Sequence, residues 1–200
     1  MVNQGSVLYF SCFDEAINGV LWTVNYIPHT LRKKQDKRPN IDFYEYKNSY
    51  LNVINNGLAF DSDTHNRGHL VPNSDYANKD EKSKTFHSLN RAPQVSVFNG
   101  GIWSTIEMST RDNTRKSRSN TVIVTYVTYS SNDLNSLPKI SEKGTYGAQV
   151  PVPTTYNKAL FAQRSGTNEF DGFCLEQSNL LGSTEPAKIT DLNSCAKTLP

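Results

Sequence analysis

The sequence predicts an α+β fold in which mixed or antiparallel sheets pack against helices. Short runs that alternate apolar with polar residues, such as Gly19–Ile27 and Asn120–Tyr129, read as half-buried strands. One longer run, from about Val95 to Asp112, carries helical spacing. The two kinds of element mix without the regular strand–helix alternation that builds a parallel sheet. A chain of 200 residues is long enough for one domain with a real core, so a single domain over 1–200 is expected.

Each element has a local reason. Val7–Phe10 and Gly19–Ile27 are expected strands, and two-residue alternation puts Trp22, Val24 and Tyr26 on one face. Arg32 to Asn56 is polar and aromatic by turns, punctuated by Pro39 and Gly57, and reads as a long surface excursion with short regular pieces. Asp61 to Asn78 is rich in Asp, Asn, Ser, Gly and Pro, which marks a loop-rich segment of the kind that carries function. Lys79–Lys84 reads as a short charged helix. The helix after Pro93 contains Gly100-Gly101, at a cost of about 1 kcal/mol per glycine. Such conflicts between propensity and pattern gather where backbone must come close to something. Further strands are expected at Asn120–Tyr129, Gln149–Val152, Ala159–Gln163 and Gly172–Leu175, with a C-terminal helix around Pro186–Ala196.

Composition excludes some classes. With 36% hydrophobic and 20% charged residues the chain has ordinary soluble composition, and its mean hydropathy is −0.59. No apolar run approaches the roughly 18–20 residues that cross a bilayer, so no membrane partner is expected. Met1-Val2-Asn3-Gln4-Gly5 lacks a basic and an apolar region, so no signal peptide is read here. Either export does not use that route or the segment has been removed. The net charge of +2 is too small to argue for nucleic acid. Its distribution is uneven: Arg32, Lys33, Lys34, Lys37 and Arg38 form one cluster, and Arg111, Arg115, Lys116 and Arg118 another. Both could line a phosphate track or be solvated loop and helix ends. Among the cysteines, Cys174 and Cys195 could pair and leave Cys12 free, or all three could be reduced thiols.

The chemistry concentrates further along. In Asn66-Arg67-Gly68-His69, the arginine and histidine stand two apart and share a side of an extended segment. A neutral imidazole can take a proton from water, and a guanidinium beside it can hold the phosphate that the water attacks. Downstream, Asn99, Trp103, Glu107 and Arg111 follow at helical i, i+4 spacing and form one drifting stripe.

These residues resemble the DNA/RNA non-specific endonuclease family, whose site is a ββα-metal (His-Me) finger. Arg67-Gly68-His69-Leu70 with Pro72, then Thr85-Phe86, Asn90-x-x-Pro93-Gln94, Phe98-Asn99, Trp103 and Glu107 match the family pattern at every spacing. Looser likeness extends to Trp22–Tyr26 and to Val150-Pro151-Val152-Pro153 with Tyr156-Asn157-Lys158. One residue departs: the family has Asp where this chain has Asn66, which removes a negative charge near Arg67 and His69.

The resemblance implies one nuclease domain with its active-site core at about 61–115. It implies His69 as general base, Asn99 as direct ligand of a magnesium ion, and Glu107 as holder of metal-bound water. Manganese or another divalent cation would substitute. Asn90 would orient the site, Arg67 and Arg111 would bind phosphate and transition state, and Arg38 is the candidate for a further upstream arginine. The implied reaction is hydrolysis of DNA or RNA without sequence preference, leaving 5′-phosphate and 3′-hydroxyl ends. A metal-bound water would protonate the leaving oxygen. Activity would fall below about pH 6.5, where an ordinary histidine becomes protonated. Family habit also implies a secreted, extracellular protein, either a nutritional nuclease or a toxin held by an inhibitor or immunity protein.

Two rivals are weaker. His65 and His69 stand four apart, but Asn66 and Gly68 argue against a helix there and no third ligand completes a zinc pattern. A nucleic-acid binder without catalysis would need neither His69 nor Asn99. The other histidines, His29, His65 and His87, read as surface or structural.

Overall fold

The structure is a computed structural model that describes residues 2–3, 6–44, 46–48, 53–55, 60, 62–131, 133, 136–143, 148–164, 166–167, 169–180 and 187–191. The first half holds strands β1 (Val2–Asn3), β2 (Ser6–Val7), β3 (Tyr9–Asp14), β4 (Gly19–Ile27), β5 (Tyr46–Asn48), β6 (Val53–Asn55), β7 (His65–His69) and β8 (Arg91–Val95). The second holds β9 (Thr121–Thr128), β10 (Lys139–Ser141), β11 (Gln149–Pro151), β12 (Thr155–Gln163), β13 (Phe170–Ser178) and β14 (Lys188–Asp191). The helices are α1 (Lys79–Lys84), a short α2 (Ser96–Phe98) and α3 (Ser104–Ser117).

Six long strands form one antiparallel sheet in the order β14-β13-β12-β9-β4-β3. β7 and β8 pair separately and antiparallel, His65 opposite Val95 and His69 opposite Arg91. Helix α3 follows them, so the order is strand, strand, helix. The fold is α+β with antiparallel sheets, as the sequence predicts. The core joins both parts: Ile27, Ile123, Tyr156, Leu160 and Leu175 of the sheet pack with Leu70, Ala92, Phe98, Trp103 and Ile106.

The sheet face turned to this core is unusually polar. By strand alternation and register, Thr23 and Asn25 of β4, Thr125 of β9 and Lys158 of β12 share the face of Ile27, Ile123 and Leu160, and all are buried. Buried polar groups cost free energy unless partnered. Asn25 and Lys158 find partners in the ββα unit, at Asp75 and at the Leu70 carbonyl, while Thr125 receives Lys158 within the sheet. Trp22, Val24 and Tyr26 do share a face, but it is the opposite one, and Tyr26 is exposed.

Several boundaries differ from expectation. The first strand runs through Tyr9–Asp14 rather than ending at Phe10. Within the loop-rich 61–78 segment lies β7, and β8 precedes the helix; the pair bonds to each other, a long-range fact that local composition does not carry. Around Pro186–Ala196 there is no helix among the described residues, because Lys188–Asp191 joins the sheet edge, Leu175 opposite Ile189; 186 and 192–196 lie outside the described residues. The helix expected over Val95–Asp112 runs from Ser96 to Ser117 but is broken in its first half. Cys174 is disulfide-bonded and Cys12 is a free thiol, while Cys195 lies outside the described residues.

Candidate active site

His69 ends β7 and is held by aromatic rings. Its imidazole lies 4.7 Å from the Phe43 ring and 4.7 Å, edge-on, from the Phe86 ring. Each phenylalanine carries a guanidinium: Arg67 is 5.4 Å from the Phe43 centroid and Arg38 is 5.1 Å from that of Phe86. Nε2 of His69 is buried and meets no hydrogen-bond partner among the described residues. Burial first, then the charges of Arg38 and Arg67, push its pKa down to about 3. A ring placed this way stays neutral across physiological pH and keeps a free acceptor. The expected fall in activity below pH 6.5 is therefore corrected: that value belongs to a solvated histidine, and this one is desolvated between two cations.

Gly68 is required for local geometry. A Cβ there would stand 2.1 Å from the side chain of Gln94, which crosses from the partner strand. Asn90 is wholly buried and fixes the chain just after His69. Its Oδ1 accepts from Val71 N–H at 2.9 Å, and its Nδ2 donates to the carbonyls of Val71 (2.9 Å) and Thr85 (2.8 Å). With all three bonds spent on backbone, Asn90 is a positioning residue. Asn66 receives the Ser96 hydroxyl at 3.2 Å and tethers β7 to the start of the helix. The carboxylate that Arg67 meets comes instead from Asp42, at 2.8 Å, on an exposed side chain.

The helical side of the site begins at Asn99. A π-helical turn, Asn99–Trp103, separates α2 from α3, and Gly101 inside it has non-helical angles (φ −105°, ψ −109°). The glycine conflict seen in the sequence is this break, and π turns of this kind often sit at functional positions. The extra residue also splits the expected stripe. Trp103 turns into the core, 1% exposed, stacked at 5.5 Å on Phe98. Asn99 remains partly exposed, and no described residue bonds its amide.

Glu107 and Arg111 lie in a second cluster that sequence reasoning did not foresee. Asp75, 3% exposed, accepts from Arg111 Nη1 at 3.1 Å and from Asn25 Nδ2 at 2.9 Å. Lys158, 1% exposed, donates to Thr125 Oγ1 at 2.8 Å, reaches the Leu70 carbonyl at 3.5 Å and lies 4.8 Å from the Trp103 ring. Burial raises the pKa of Glu107, opposed by Lys158, with Asp75 raising it further; burial lowers that of Lys158. The only warning in the sequence was Lys158 at a core position of an alternating strand.

Arg38, Arg67 and His69 are thus brought together, as are Glu107 and Arg111. No hydrogen bond or ring contact joins Asn99 to His69 among the described residues; the two halves meet through Lys158 at Leu70, the neighbour of His69. His65 binds Ser62 and Thr64, His87 caps a turn at Leu89, and His29 meets Asn120, so these three are structural. His65 and His69 share a strand, four residues or roughly 13 Å apart, too far for one zinc ion.

Asn99 and Glu107 fit a hard, hydrated divalent cation. Both offer oxygen only, and among the described residues no group of three His, Cys, Asp or Glu could cage an ion. A cation here would take most of its shell from water and substrate, as magnesium prefers. It would also offset the burial that disfavours the Glu107 carboxylate.

Comparison with known proteins places the family and the fold. The family model for DNA/RNA non-specific endonuclease matches residues 4–198. The chain is 30% identical over 168 residues to human mitochondrial endonuclease G and 27% identical over 167 residues to the Bos taurus protein. Each match covers 79% of this chain but only 54% and 53% of those relatives, so the chain spans about half their length. The crystal structure of the EndoG/EndoGI complex superposes with a TM-score of 0.73 at 19% identity, over 97% of this chain and 82% of that one, which shows a shared fold. The chain belongs to the DNA/RNA non-specific endonuclease family.

Proposed function

We propose that this chain is a magnesium-dependent, sequence-nonspecific endonuclease that hydrolyses DNA or RNA and leaves 5′-phosphate and 3′-hydroxyl ends. The observation that carries the reading is the neutral His69 with an unpartnered, buried Nε2 between two guanidinium groups. His69 accepts the proton of the attacking water. Arg38 and Arg67 hold the scissile phosphate. Arg67 leaves Asp42 to do so, and an ion pair this exposed is worth only about 0–1 kcal/mol, less than a charge-assisted phosphate bond. Arg111 is aligned by Asp75 and keeps further donors for the substrate. Asn99, and Glu107 through water, would hold a magnesium ion, which would supply positive charge for the phosphate and the leaving oxygen. Phosphate contacts without an element that reads base edges imply little sequence preference.

A protein inhibitor is a fitting partner, since the superposed structure is that of EndoG held by an inhibitor. The bonded Cys174 supports passage through an oxidising, extracellular compartment. The test is digestion of plasmid DNA and of RNA with magnesium or with EDTA, followed by ligation of the products. Metal-dependent, ligatable fragments are expected; degradation that persists in EDTA would refute the reading.

A further inference from the structure

Loop 32–38 carries five cations, Arg32, Lys33, Lys34, Lys37 and Arg38, all exposed. Like charges so close repel, and the loop is nevertheless pinned from beneath. Leu31 is buried; Gln35 donates to the Ser74 carbonyl at 2.9 Å and accepts from Lys82 Nζ at 2.9 Å. Asp36 N–H donates to the Ala77 carbonyl at 2.9 Å, and its carboxylate accepts from Lys79 N–H at 2.9 Å. The anchors face inward while the cations face solvent. At one end Arg38 lies over Phe86, the ring against His69. Toward the other, the charge of Lys33 is felt at Asp112 of α3, the carboxylate that Arg115 pairs with.

We propose that loop 32–38 is a pre-built phosphate track that grips the nucleic-acid strand flanking the scissile bond and leads it to His69. This deepens the nuclease reading and rests on it. Fixed cations gain affinity by releasing counterions and carry no sequence information, which suits a nonspecific substrate. Seven residues reach at most about 25 Å, the axial rise of about seven nucleotides of one strand. Affinity therefore grows with substrate length over that range and then levels off.

The test compares wild type, the triple variant K33Q/K34Q/K37Q and Lys188→Gln, an exposed lysine on β14, the sheet edge opposite β3. Steady-state cleavage and duplex binding are measured against salt and substrate length. The triple variant is expected to keep kcat, raise KM about tenfold, and flatten the salt slope by about 0.9 per lysine that meets a phosphate. Its KM should also lose the dependence on length, while Lys188→Gln matches wild type. Wild-type cleavage with a triple variant no different from Lys188→Gln overturns the track and leaves the nuclease reading standing. Binding without cleavage overturns the nuclease reading, and the binding slopes still decide the track. A protein that neither binds nor cleaves overturns both.

Discussion

At the scale of single residues, His69 and Asn90 divide the work. The depressed pKa of His69 has a definite sign for stability. Above pH 6.5 folded and unfolded forms are both neutral and nothing is lost. Between 6.5 and about 3 the unfolded ring takes a proton that the folded ring refuses, so stability falls by up to about 1.4 kcal/mol per pH unit. His87, pushed down to about 4 mainly by burial, acts in the same direction. Urea unfolding from neutral pH to pH 4 should show a shallower loss for His69→Asn than for wild type; parallel curves would contradict the assignment. In kcat/KM the His69 limb lies well below pH 6.5. For Asn90, alanine strands the Val71 N–H and two carbonyls in a dry site, at about 1–3 kcal/mol each. Asn90→Ala should thus lose several kcal/mol of stability and most of kcat, with KM nearly unchanged. An active, stable variant would remove its positioning role. The motif residues themselves were legible in the sequence because their spacing is local. The pairing of Asp75 with Arg111 and of Lys158 with the Leu70 carbonyl was not, since these partners lie 36 and 88 residues apart.

At the scale of elements, the helix that carries the site shows where pattern reading stops. Gly100-Gly101 marked trouble, and the structure answers with a π turn that sends Trp103 inward and leaves Asn99 at the surface. Beyond Asp112 the sequence Asn113-Thr114-Arg115-Lys116-Ser117 has weak helix propensity, yet the helix continues. Tertiary contact decides it: Thr114 is buried and meets the Thr121 hydroxyl of β9 at 2.8 Å. The end comes at Arg118 in a left-handed conformation, with no glycine to announce it. In the same way Lys188–Asp191 became a strand because an open sheet edge was there to pair with. Between the paired strands, Gly68→Ala should cost about 1–3 kcal/mol through the clash with Gln94 and shift His69, measurable as a lower Tm and kcat. A variant as stable and active as wild type would show that Gln94 yields freely.

At the scale of the whole molecule, the sheet is more than a platform. Its polar stripe supplies Asn25 and Lys158 to the ββα unit, so that strand, loop and helix share one buried set of charges. Removing one member of such a set leaves the others uncompensated, at about 3–5 kcal/mol. Lys158→Met should therefore unfold at markedly lower urea and show a weaker rise in Tm with magnesium, whereas an unchanged response would detach the sheet from the site. The family and its fold were readable from the sequence; this coupling was not, because it depends on which sheet face meets the helix. Everything converges on the imidazole between Arg38 and Arg67. The most direct measurement is the single-turnover cleavage rate of plasmid DNA by His69→Ala at saturating magnesium and neutral pH. A positioned base predicts a rate about 10²–10⁴-fold below wild type with DNA binding retained. A rate within about threefold of wild type would mean that another group takes the proton.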